Sequence, residues 1–141
     1  MILPDVNILV QAFRSDAPDH TVCRTWLDDI VNGDARYGMA PQVLSSVIRV
    51  VTHPKVFSVP SSLDEVFHFC EILLGQPHCM VIQPGERHWE IFIRLCIEAN
   101  VRGNLVTDAW FAALAIESGC EWITLDRDYA RFSGLRWRVP M

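Results

Sequence analysis

No apolar run in this sequence approaches the roughly 20 uninterrupted residues of a membrane span. The opening MILPDVNILV also meets Asp5 too early for a secretory leader, so a soluble, cytoplasmic protein is expected. Also missing are any linker rich in Ser, Gly or Pro, any low-complexity tract and any internal period, which excludes disordered and repeat architectures. Paired cysteines are absent: Cys23, Cys70, Cys79, Cys96 and Cys120 are scattered, odd in number and never spaced C-x-x-C. Reduced thiols without chemistry are the expectation, not disulfides or a zinc knuckle. The five histidines, His20, His53, His68, His78 and His88, are equally dispersed, and none stands at ligand spacing from another. Excess positive charge is lacking too. A net charge of −5 argues against unspecific attachment to nucleic acid through a basic surface. It leaves open a nucleic-acid enzyme whose gathered acids hold a cation.

What is present is a half-apolar chain of 141 residues, enough for a real core in a single domain over 1–141. Short apolar strands are predicted at 1–4, in YGMA, in CMVIQP and in CEWITL, separated by helices. The first helix follows Asp5. A second begins near Ala17 with Asp19 as N-cap and a stripe of Val22, Cys23, Trp26, Leu27 and Ile30. A third follows Pro41 and ends before the His53-Pro54 turn. In SSLDEVFHFCEILLG, Ser62 and Glu65 stand at capping-box spacing, and Gly75 ends the helix. The next helix, ERHWEIFIRLCIEAN, is expected to turn Trp89, Phe92, Ile93, Cys96 and Ile97 inward, and Thr107 to cap DAWFAALAIES before Gly119. Alternation of this kind calls for parallel strands, whose crossovers cover the sheet.

In an open parallel sheet the functional crevice lies beyond the carboxyl ends of the strands. Asp5 and Asp126 stand at such ends, and Asp108 is placed in the first turn of its helix. Each has an ordinary explanation: a turn residue, a helix-dipole partner, and a cap for a short helix in RDYARF. Together they are harder to dismiss, because gathered carboxylates repel unless a cation binds them. Mg²⁺ suits such a site, since it takes oxygen ligands and needs few carboxylates when phosphate oxygens complete its shell.

The segments LPDVNILVQAF, RVVTHPKVF and LVTDAWFAALAIESGCEWITLDRDYARFSGLRW, in this order and spacing, resemble the PIN-domain family, and more narrowly its VapC-type toxin ribonucleases. The resemblance covers essentially the whole chain. It implies an α/β, PIN-like three-layer fold with a short, mostly parallel sheet and helices on both faces. It also implies an endoribonuclease dependent on Mg²⁺, with Mn²⁺ as a substitute, in which metal-activated water leaves a 5′-phosphate and a 3′-hydroxyl. Asp5, Asp108 and Asp126 match the family's metal-binding acids, and Asp128 an additional acid beside them. Asn7 and Thr124 match supporting polar residues. One position departs from the pattern: three residues before Arg49, where the family carries Glu, this chain has Ser46. Trp110 replaces a histidine common after DA and is either a core ring or a platform for a base. Arg14, Arg49, Arg102, Arg127 and Arg131 are candidates for RNA phosphates, with Arg49 favoured because it lies one turn from Ser46.

The implied partners are RNA, a small cognate antitoxin and a second copy of the chain. The apolar residues of 20–31 and 62–74 would serve those contacts or the core. Two other functions compete. A catalytically weakened PIN-like RNA-binding or scaffold module would explain the missing Glu, but the three acids argue against it. A phosphotransferase with Asp5 as nucleophile would want a second acid two residues on, where Asn7 stands.

Overall fold

The computed structural model describes residues 1–140. The chain runs β1 (Ile2–Pro4), α1 (Val6–Phe13), α2 (His20–Asn32), β2 (Tyr37–Met39), α3 (Pro41–Val51), α4 (Leu63–Leu74) and β3 (Cys79–Val81). It continues through α5 (His88–Ala99), α6 (Asn104–Ser118), β4 (Glu121–Ile123), a 3₁₀ helix at Arg127–Arg131 and β5 (Trp137–Arg138). All four strand pairings are parallel, in the order β3-β2-β1-β4-β5. Ile2 pairs with Tyr37 on one side and Glu121 on the other. From β1 the chain therefore builds outward to β3, then returns to place β4 on the opposite side of β1. Right-handed crossovers put α1–α4 on one face of the sheet and α5–α6 on the other. The reversal falls between β1 and β4, the place where a doubly wound sheet opens a crevice.

The expected α/β fold is thus present, with a sheet that is wholly parallel and one strand longer than expected. β5 was not foreseen because WR is too short to show periodicity; it is held by backbone pairing, with Trp122 opposite Trp137. The core lies on both faces of the central strands. Leu3, Trp122 and Ile123 are fully buried between Ile8, Leu9, Val43 and Val47 on one set of helices and Ala109, Ala112, Ala113 and Leu114 of α6.

Helix ends follow local chemistry. Ser62 Oγ accepts from the Glu65 amide at 3.2 Å, the N-cap half of the expected capping box, and the Glu65 carboxylate accepts from the Ser62 hydroxyl at 3.1 Å in place of the backbone N–H. Asp19 does occupy the N-cap of α2, though the helix starts at His20 and the Asp19 side chain makes no capping bond. Gly119 closes α6 in the left-handed region at φ 71°, as glycine does at a helix end.

Two expectations are corrected. α6 starts at Asn104 after Gly103, so Thr107 is not its cap and Asp108 lies in the second turn. The sequence RGNL opens a helix because Gly103 turns the chain at φ 58°, a conformation that hydrophobic periodicity does not reveal. In α5 the inward face is His88, Ile91 and Leu95, while Trp89, Ile93 and Ile97 are exposed and Phe92 and Cys96 are half-buried. The helix is apolar on two stripes, and only packing against α6 chooses between them. Of the α2 stripe, Cys23 and Leu27 are buried, Trp26 and Ile30 half-buried and Val22 exposed. All five cysteines are free. Among the described residues no helix is long and apolar enough to cross a membrane.

Candidate active site

The end of β1 turns directly into α1 through Asp5, whose backbone N–H bonds the Ile123 carbonyl of β4 at 2.8 Å. Asp5 is the N-cap of α1: its Oδ1 accepts from the Val6 amide at 2.6 Å. Its other oxygen, Oδ2, accepts from the Thr124 hydroxyl at 2.7 Å and from Asn7 Nδ2 at 3.2 Å. Asn7 also ties the two strand ends together, donating to Thr124 Oγ1 at 3.2 Å and accepting from the Leu125 amide at 3.1 Å. The Asp126 amide donates to the same Thr124 hydroxyl at 3.0 Å, so one hydroxyl orients both acids. Asp126 in turn caps the 3₁₀ helix, its Oδ1 accepting from the Asp128 amide at 2.9 Å.

Asp108 reaches this place from α6, and the Tyr129 hydroxyl donates to its Oδ1 at 3.3 Å. Asp5, Asn7, Asp108 and Asp126 line one cleft of about 610 Å³, together with Ser46, Arg49, Asn104, Thr107, Phe111 and Tyr129. Three acids from three separate elements therefore face one space at the sheet's reversal point. The second-turn position of Asp108 also weakens its ordinary explanation, because the helix-dipole effect fades beyond the first turn.

The electrostatics carry the signature of crowding. Asp5 is only 5% exposed, and burial pushes its carboxyl up to about 7, against which the Thr124 and Val6 hydrogen bonds pull down; Asp108 and Asp126 add further upward pressure. The Asp108 carboxyl is likewise raised, first by burial and then, against the Tyr129 hydrogen bond, by Asp126. Burial and the neighbouring acids also raise Tyr129 far above the usual phenol range, which keeps its hydroxyl a donor. Among the described residues none of these three acids has an ion-pair partner. The donor set of carboxylate, hydroxyl and amide oxygens fits a hard divalent cation. The acids share the cleft without closing on a common point: no group of three His, Cys, Asp or Glu among the described residues is drawn tightly enough to hold an ion. The fit is thus one of donor chemistry and placement, and the half-buried Asp108 and Asp126 are the side chains with room to adjust.

The remaining candidates divide. Ser46 and Arg49 line the cleft from α3. Asp128 is exposed, outside the cleft lining, and 3.8 Å from the Arg131 guanidinium. Arg14 is a structural residue: it pairs with Asp16 at 2.6 Å, donates to the Val59 carbonyl at 2.8 Å and to Ser61 Oγ at 3.0 Å, and stacks on Phe57 at 4.1 Å. Asp16 is two residues away, but Phe57, Val59 and Ser61 lie too far along the sequence to be anticipated. Arg102, Arg127 and Arg131 are exposed outside the cleft. Trp110 is half-buried in an adjoining cavity, against His88 and Phe92. His88 is a satisfied core histidine, its Nε2 bonded to the Trp110 carbonyl at 3.0 Å. Tyr129 went unanticipated: in DRDYARF an aromatic after two acids reads as core, which it also is.

The PIN domain profile matches residues 2–135, and the chain belongs to the PIN-domain family. It is 40% identical over 141 residues to Ribonuclease VapC43 of Mycobacterium tuberculosis, covering all of this chain and 96% of that one. To Ribonuclease VapC25 of the same organism it is 38% identical over 140 residues, covering 99% of each chain. The fold is similar to VapBC2 from Rickettsia felis, solved bound to a DNA fragment from their promoter, with a TM-score of 0.71, 19% identity, and coverage of 99% of this chain and 98% of that one.

Proposed function

We propose that this protein is a divalent-metal-dependent endoribonuclease, the toxin of a VapBC-type toxin–antitoxin pair. The observation that carries the reading is the convergence of Asp5, Asp108 and Asp126 on one cleft at the reversal of the sheet, held by Thr124 and Asn7. Full-length likeness to proteins named ribonucleases supports the reaction class. Mg²⁺, or Mn²⁺ in its place, when bound would polarise the scissile phosphate and lower the pKa of a water to make it a nucleophile. The residues of the chain do the rest. Asp5, Asp108 and Asp126 supply the carboxylate oxygens. Thr124 and Asn7 keep Asp5 oriented, and with a metal-activated water as the attacking group no nucleophilic side chain is required. Tyr129 keeps Asp108 aimed into the cleft. Arg49 offers a guanidinium to a substrate phosphate at the same cleft.

The antitoxin and a second copy of the chain are proposed as partners. In support, α4 exposes Leu63, Phe67 and Ile72, and a groove of about 300 Å³ between α3 and α4 is lined by Leu44, Ile48, Phe67, Cys70 and Leu74.

The test is incubation with labelled RNA, with and without Mg²⁺ or Mn²⁺, beside a small phosphomonoester. RNA cutting that EDTA blocks, with the monoester untouched, is expected. Asp5→Asn, Asp108→Asn and Asp126→Asn should each reduce cleavage at least about 100-fold with the fold intact. Two of them cutting at near wild-type rate would sink the site, and RNA left uncut with metal present would favour the weakened binding module.

A further inference from the structure

The cleft that holds the acids has a second, apolar end. Val10 and Gln11 lie one turn of α1 beyond Val6 and Asn7, and Val50 one turn of α3 beyond Ser46, so the lining runs along both helices away from the strand ends. It finishes on Val56 and Phe57. These two belong to the connection between α3 and α4, which has no helix or strand of its own and yet is pinned at several points. The Val56 and Phe57 amides both bond the His53 carbonyl, at 3.0 and 3.1 Å, and the Ser61 amide bonds the Val51 carbonyl at 2.9 Å. Arg14, its side chain only 11% exposed, clasps the loop through the Val59 carbonyl, the Ser61 hydroxyl and the Phe57 ring. A loop fixed so firmly still leaves Val56 55% exposed and Phe57 half-buried at the cleft. Charge adds a second observation. The chain has 17 acids, but residues 35–63 contain none, and Arg49 and Lys55 in that stretch have no ion-pair partner among the described residues.

We propose that this end of the cleft is a nucleotide subsite, in which a base beside the cut packs on Val56 and Phe57, its phosphate meets Arg49, and Arg14 is the positioning residue that holds the loop. The inference rests on the ribonuclease reading and deepens it, giving the substrate an unpaired nucleotide at the cut. A strand whose phosphate reaches the acids lays its neighbouring nucleotide along the same cleft. An aromatic surface accepts any base that is free of its own stack, and a guanidinium beside it takes the phosphate. The subsite therefore reads the presence of a base rather than its identity. An apolar peptide would fill this end but leave Arg49 and Lys55 without a counter-charge, so the nucleotide is the better occupant.

Two measurements test this. In the first, single-stranded RNAs carrying an abasic nucleotide on one or the other side of the cut are compared with intact RNA by kcat/KM. The wild type should lose at least about fivefold at one of the two positions. That penalty should shrink at least about twofold in Phe57→Leu, which keeps apolar volume and loses the ring, and in Arg14→Met, while Phe57→Trp keeps it. A wild type indifferent to the abasic nucleotide on both sides, or a smaller change of the penalty in Phe57→Leu or Arg14→Met, overturns the proposal. In the second, GMP, which has no phosphodiester to cut, is titrated into the full-length Phe57→Trp variant, with the wild type as fluorescence reference. Quenching of the added tryptophan by GMP and not by ribose 5-phosphate is expected, with weaker binding once Arg49→Gln is added. No quenching, equal quenching by both compounds, or GMP binding unchanged by Arg49→Gln overturns the subsite and leaves that end of the cleft to a peptide. Because this second measurement needs no cleavage, failure of the subsite and failure of the ribonuclease reading are told apart.

Discussion

Asp5 is the residue on which the site's behaviour with pH turns. Its carboxyl is ordinary in the unfolded chain, near 3.8, and is pushed to about 7 by burial in the folded protein. Between these values the folded protein holds a proton that the unfolded chain has released, so raising the pH favours unfolding. The contribution is fully present below the unfolded value and is lost as pH rises through about 7, a loss on the order of 2–4 kcal/mol. In chelator, the wild-type melting temperature should therefore fall relative to Asp5→Asn as pH goes from 5 to 8. A constant difference between the two proteins across that range refutes the raised carboxyl. Ser46 offers a second residue-scale prediction. Because it lines the cleft, Ser46→Glu should move the metal dependence of cleavage to lower concentration by several-fold, with little change at saturation. Calorimetric titration checks it; weaker metal binding by a well-folded variant would mean that this side chain does not face the ion. Asp5 and Asp126 were legible in the sequence because acids that end apolar strands have few other places to go. The structural role of Arg14 was not, since Val59, Ser61 and Phe57 are brought to it from a distant part of the chain.

At the scale of elements, periodicity located the helices but did not orient them. α5 carries one stripe at positions 88, 91 and 95 and another at 89, 93 and 97, and both satisfy the same spacing. The selected stripe includes His88, the less apolar choice, because the Trp110 carbonyl on α6 gives its ring a partner. Ile91→Ala and Leu95→Ala should thus each cost about 2–5 kcal/mol. Trp89→Gln and Ile97→Gln should stay within about 0.5 kcal/mol for the isolated chain. Urea melts of the four variants decide the matter, and the reverse ordering would place the helix the other way round. β4 was easier to read, being a short β-branched and aromatic run between Gly119 and an acid. β5 escaped because pairing alone defines it.

The whole molecule is acidic, with a net charge of −5, and it gathers three of its acids in one cleft, none of them ion-paired among the described residues. That arrangement costs stability, as the raised carboxyls of Asp5 and Asp108 record. A divalent cation that binds only the folded state returns the loss by mass action, giving about 2.7 kcal/mol at a concentration one hundred times its dissociation constant. Saturating Mg²⁺ or Mn²⁺ should therefore raise the melting temperature by several degrees. The rise should grow between pH 6 and 8, since the Asp5 proton competes with the metal and leaves as pH increases through about 7. In Asp126→Asn it should shrink, because one oxygen donor has lost its charge. Monovalent salt at matched ionic strength separates site binding from general screening of a negative surface, as screening alone would act equally in both proteins. A melting curve indifferent to the divalent ion, or a shift reproduced by NaCl and unchanged in Asp126→Asn, would leave the acidic cleft without a metal role.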